Sequence, residues 1–165
     1  MKYLLLLLLA AIGLQADAQT NSQPKTQRDT ISTDSISVAY GRPFKNGRTI
    51  FGNLEKFGNV WRVGANQATT ITFEKEVLFA GHSIPAGTYT LFVIPYETEW
   101  TLILNTKLGQ WGTMAYEKFK SQNILEVNVP VTTLSMPVEQ LTITFPTSSS
   151  MVIEWDTVKV TVPIT

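Results

Sequence analysis

The chain has 165 residues, with thirteen basic and thirteen acidic side chains, one histidine and no cysteine. Neutrality at this low charge density excludes the basic field that nucleic-acid binding needs, and with it a patch for anionic membranes. Without cysteine there are no disulfides, and a single imidazole would leave a zinc site almost wholly to scattered carboxylates, so no metal and no cofactor is expected.

Residues 1–18 read as a signal peptide. Lys2 is the positive n-region, Leu4–Leu9 and Ala10–Leu14 form the apolar segment, and Ala16-Asp17-Ala18 is an A-x-A cleavage site. The apolar run is too short for a comfortable membrane span, so no transmembrane segment is expected in the mature chain. Cleavage after Ala18 leaves 147 residues in the periplasm or outside the cell, the size of one domain. Residues 19–33 are a polar leader whose second half has the makings of an edge strand, and 34–165 form a single domain.

From Ser35 the apolar period is two. Ile36, Val38 and Tyr40 alternate with small or polar residues, and Ile71 and Phe73 do so between threonines. Between these strands lies the stretch Tyr40–Phe73, punctuated by Gly41, Gly47, Gly52, Gly58 and Gly64. Glycine at that density breaks both helix and strand, so the segment is a chain of turns that must be pinned by side chains. Arg42, Arg48 and Arg62 are the pins its composition offers, and Ile50, Phe51, Leu54, Phe57, Val60 and Trp61 are its apolar anchors.

Val77–Gly81 is a further short strand, and Pro85-Ala86-Gly87 a turn. In Thr88–Ile94 both faces become apolar, which marks a central strand, and Trp100–Leu104 returns as its hairpin partner. Thr113–Lys120 has room for one helical turn. Four alternating faces complete the chain: Leu125/Val127/Val129, Leu141/Ile143/Phe145, Met151/Ile153/Trp155 and Val158/Val160/Val162. The expected fold is all-β, an antiparallel β-sandwich of Ig-like or jelly-roll-like type.

The segments YGRP, GRTIFG, VWRVGANQATTITF, IPAGTYTLFVIP and NTKLGQWG resemble a family of exported bacterial proteins catalogued as domain of unknown function 2911. The likeness runs from about Ser32 to the C-terminus, and Trp61–Ile71 is its most specific piece. It implies a fold and an exported compartment, and assigns no activity and no catalytic residues.

Candidate chemistry is sparse. His82 in AGHSIPAG is the sole imidazole for a nucleophile triad, and a solvated loop histidine is the simpler account of it. Glu97 and Glu99 share a strand face, as a glycosidase pair requires, but PYETEW is a hairpin tip where acids solvate the turn. Trp111, between Gly109 and Gly112, is a loop indole on which a flat ligand such as a sugar could stack, or a plug for one end of the sandwich. Arg42 and Arg62 with Asn66 either clamp a polar ligand or tie down turns. Arg42, Arg62, Asn66 and Trp111 together are therefore the candidate ligand site, with no catalytic and no metal residues assigned. The leading reading is a non-catalytic binding or interaction domain of the cell envelope, for a carbohydrate, a small polar ligand or an envelope protein. A small exported hydrolase using Glu97, Glu99 or His82, and a purely structural subunit, are the alternatives.

The exported chain is expected to begin at Gln19. N-terminal sequencing of the protein outside the cytoplasm checks this, and recovery of Met1–Ala18 in a membrane fraction would overturn it.

Overall fold

A computed structural model describes residues 26–165; the expected signal peptide and the start of the polar leader lie outside the described residues. Nine strands and one helical turn account for most of what is described. They are β1 (Gln27–Ser32), β2 (Ile36–Arg42), β3 (Thr69–Phe73), β4 (Val77–Phe79), β5 (His82–Ile84), β6 (Gly87–Pro95), β7 (Glu99–Asn105), α1 (Tyr116–Phe119), β8 (Asn123–Thr147) and β9 (Ser150–Pro163). Seven form an antiparallel sheet in the order β1-β2-β3-β6-β7-β8-β9, and β4-β5 is a separate hairpin. The protein is all-β and sandwich-like, with a sheet that curls like half a barrel.

The curl comes from the last two strands. At about 3.3 Å per residue, a strand the length of β8 would stretch roughly 80 Å if straight, far beyond the width of such a domain, so it must bend. Its first part pairs with β7 (Glu99↔Pro130 to Asn105↔Asn123) and its second part with β9 (Val131↔Val160 to Thr147↔Ser150). Register shifts between Thr133 and Val138, and again before Thr142, mark the corner. The sequence suggested four short strands here. The structure runs them together in pairs, because the ladder continues across each bend instead of ending at a turn.

Two seams close the curl. Beyond β2, Lys45 N–H donates to Glu139 O (2.6 Å) and Leu141 N–H to Pro43 O (3.0 Å). Beyond β9, Thr165 and Leu78 exchange backbone hydrogen bonds at 2.6 and 3.0 Å, attaching the β4-β5 hairpin. Tyr40, buried on β2, accepts from the Ile143 N–H through its hydroxyl (2.9 Å), joining the two layers.

β6 is the central strand that its two apolar faces predicted. Leu91 and Val93 enter the main core, whereas Phe92 points to the other face, where Ile103, Ala68 and Tyr116 of α1 cover it. Phe92 and Tyr116 meet edge to face at 5.1 Å. The main core centres on Trp61, Trp100 and Trp155 with Phe51. The indoles of Trp61 and Trp155 stack at 5.9 Å, and Trp100 meets Trp61 edge-on at 5.6 Å.

The glycine-rich stretch is fastened across this core. Trp61 and Val93 exchange backbone hydrogen bonds of 2.7 and 2.9 Å, so Trp61 prolongs the row of β3 along β6. The chain between, 62–68, bulges out and is closed where Thr69 N–H donates to Arg62 O (3.1 Å) and the Thr69 hydroxyl to Val63 O (2.8 Å). Val63 sits at φ 54°, a conformation that costs a β-branched residue on the order of 1–3 kcal/mol. It is held there because both Trp61 and Val63 are buried while Arg62 between them turns to a cavity.

Gly41 is where this bulge lands on β2. A Cβ there would run into the carbonyl oxygen and backbone nitrogen of Ala65, neither of which can swing aside. Gly41→Ala is therefore expected to destabilise the domain by about 3 kcal/mol, lowering the melting midpoint by roughly 10 °C. A thermal melt of the variant checks this.

Candidate functional site

A polar cavity of about 290 Å³ lies beside the bulge. Its walls come from several separate pieces of chain. The turn after β2 supplies Phe44, Asn46 and Arg48, and the next turn supplies Leu54 and Glu55. The bulge supplies Arg62, Gly64 and Ala65, and Trp155 of β9 contributes as well.

The first turn is self-tied. Arg48 donates through Nε to Lys45 O (2.9 Å) and through Nη2 to Phe44 O (2.6 Å), and Lys45 Nζ donates to Arg48 O (2.6 Å). The Asn46 N–H, at a residue with φ 49°, donates to Glu139 Oε1 (2.8 Å). Lys45 also pairs with Asp156 (3.0 Å), whose other carboxylate oxygen accepts the buried Ile50 N–H (3.1 Å). Asp156 is 8% exposed and has φ 53°; there β9 changes which of its faces points inward, so that Trp155 and Val158 both do.

The second turn holds Glu55 by its backbone. Its N–H donates to Ile50 O and its carbonyl accepts from Gly52 N–H, both at 2.9 Å. Burial pushes the Glu55 carboxyl up to about 7, against the pull of Arg62 and, more weakly, Arg48. Neither arginine lies within ion-pair distance of it among the described residues.

Arg62 is the exception among the three arginines of the glycine-rich stretch. Its Nε is buried without a hydrogen-bond partner, and so is Nε1 of Trp155 in the same wall. Buried donors are nearly always paired, and the rest of the Arg62 guanidinium, with no ion-pair partner among the described residues, lies in the cavity wall, where its planar fork can grip a carboxylate or phosphate. Arg42, by contrast, is fully employed. It donates through Nε to Leu141 O (3.2 Å), through Nη2 to the Thr142 hydroxyl (3.1 Å) and through Nη1 to Asp29 (3.2 Å), pinning β2 to β1 and β8.

Of the four residues expected to converge, only Arg62 lines this cavity. Asn66 and Trp111 do meet each other's loops, on the far shoulder of the bulge. Gly112 N–H donates to Asn66 O and Ala68 N–H to Gln110 O (2.9 Å each), with Gln67 bridged to Trp111. Trp111 is 61% exposed there, an indole facing solvent and not a plug. Glu97 and Glu99 lie exposed at the β6-β7 tip, where Glu99 accepts from the Asn128 amide (3.0 Å). His82 is exposed at the start of β5, its Nδ1 3.0 Å from Ala80 O. None of these three lines the cavity. Among the described residues, no group of three or more acids and histidines is placed to hold a metal ion, and no helix is long and apolar enough to cross a membrane.

Glu55 escaped sequence reasoning. Its one local signal is an acid wedged between Leu54 and Phe57 in a turn-rich stretch; Arg48 and Arg62 stand only seven residues to either side, but a chain of turns has no regular period to say which of its positions share a wall.

The cavity has one acid and two fixed positive charges, where a glycosidase would need two facing carboxylates. That arrangement suits the holding of an anion. The family described as Protein of unknown function (DUF2911) matches residues 22–164, which takes in every described strand and every residue lining the cavity. No curated protein and no solved structure matches the chain.

Glu55 links stability to pH. Its carboxyl binds a proton more tightly in the folded chain than at its ordinary value of 4.5, so its contribution is complete below 4.5 and is lost as pH rises through 7. After allowance for solvent screening, Glu55→Gln is expected to gain about 2 kcal/mol over the parent at pH 8 and almost nothing at pH 4.5. Melts of both proteins across that range check the divergence.

Proposed function

The chain belongs to the DUF2911 family, and from that premise we propose that it is an exported, non-catalytic binding domain of the cell envelope. Its ligand is a small acid, such as an acidic sugar or another compact polar molecule bearing a carboxylate or an ester of phosphate or sulfate. The observation that carries this is the buried, unpartnered Nε of Arg62 in a cavity shared with Arg48 and Glu55. The volume supports a ligand of about monosaccharide size, at the small end of the range for binding sites. Export rests on the A-x-A site at Ala16–Ala18.

Within this reading Arg62 grips the charge and the tied turn of Arg48 adds a second positive edge. Trp155 offers an indole N–H to a further acceptor, and Asn66 with Trp111 remains a separate exposed shoulder. Arg42 holds the frame in which the cavity stands.

The two arginines should separate in the laboratory. Arg62→Ala is expected to melt within about 1 kcal/mol of the parent and to lose glucuronate binding by roughly 100-fold, as removal of a charged hydrogen-bonding anchor does. Arg42→Ala is expected to lose about 2–3 kcal/mol of stability through its three bonds. Calorimetric titration and thermal melts of both variants test this, and unchanged binding by a folded Arg62→Ala protein would defeat the reading.

A further inference from the structure

We propose that the cavity takes its anion together with one proton, and that Glu55 is the group that accepts the proton. This rests on the reading above that the cavity is the ligand site. The bonds from the Glu55 N–H to Ile50 O and from the Gly52 N–H to Glu55 O fix the Glu55 backbone in the turn, which keeps its carboxylate in the wall of the cavity. The Arg62 guanidinium, in the wall of the cavity and without an ion-pair partner among the described residues, draws an anion to the same small space. Two like charges brought together in a partly desolvated site cannot both persist, and the weaker acid takes up a proton. Against a sulfate ester or a uronate that acid is Glu55, whose burial has already raised it.

The surrounding charges do not remove the conflict. Arg62 and Arg48 are the charged groups acting on Glu55, and Arg48 has already given two of its donors to Lys45 O and Phe44 O. Lys45, at the other end of the same turn, is neutralised by Asp156, and Glu139 is occupied by the Asn46 N–H. With Glu55 ionised, the cavity has a single net positive charge to offer. With Glu55 protonated it has two, and the new O–H becomes a donor to the ligand. The step balances simply: one proton passes from water or buffer to a Glu55 carboxylate oxygen, one anion enters, and no covalent bond of the ligand changes.

The test is titration calorimetry of the mature protein with glucuronate and with sulfate, neither of which titrates near neutrality, and with glucose as the uncharged control. Runs in two buffers of different ionisation enthalpy count the protons taken up. The expected result is uptake of more than half a proton per ligand near pH 7.5, with affinity weakening up to about tenfold per pH unit above neutrality. Glu55→Gln should bind both acids with no uptake and a flat pH profile. Binding by the parent without proton uptake overturns the inference, as does a Gln variant whose uptake matches the parent's. Failure of both acids to bind at any pH instead overturns the reading of the cavity as the ligand site.

Discussion

Two oxygens of one buried carboxylate join the halves of this molecule. Asp156 stands where β9 switches faces, and its side chain reaches across to the Ile50 amide and to Lys45. Those two contacts fix the irregular chain between β2 and Trp61 against the curled hairpin. Two walls of the cavity hang from that stretch: Lys45 leads into the Arg48 turn, and Ile50 begins the turn that ends in Glu55. Removing the partner of a buried charge costs several kcal/mol, far more than any one apolar contact around it, so the joint is strong where the backbone is least regular.

The same logic explains why the arginines diverge in role. A glycine-rich chain cannot satisfy its carbonyls through a ladder, and arginine can serve several at once. Arg48 does this locally, within its own turn, and Arg42 does it across the sheet. The bulge at 62–68 needs no third pin of this kind, because Thr69 closes its base. Arg62 is thereby released from structural duty, and it stands in the cavity wall between the buried Trp61 and Val63.

Much of the frame was legible in the sequence. Alternation located β2, β3 and the β6-β7 pair, and the doubly apolar run at Leu91–Val93 marked the centre of the sheet. Even the corner in β9 left a trace, since the apolar face moves from Trp155 to Val158 out of step with a period of two. The site was harder to read, for a physical reason. Arg42 and Arg62 look alike in composition, and what tells them apart is Arg42's partners on other strands, Asp29, Leu141 O and the Thr142 hydroxyl, the last two 99 and 100 residues away. Trp111 and Asn66 were rightly placed in loops, yet loop membership says nothing of which loops share a wall.

The span of those bonds also governs the order in which the molecule can form. Tyr40 to Ile143, Arg42 to Thr142 and Ile50 to Asp156 are separated by 103, 100 and 106 residues. Closing loops of that length precedes any reward from the contacts they bring, which makes such topologies slow to fold. A chain emerging from its N-terminus can build β2, β3, β6 and β7 early, but the walls of the cavity have nothing to stand against until β9 arrives. The cavity therefore has no half-made form: it is complete only when the last strand is in place.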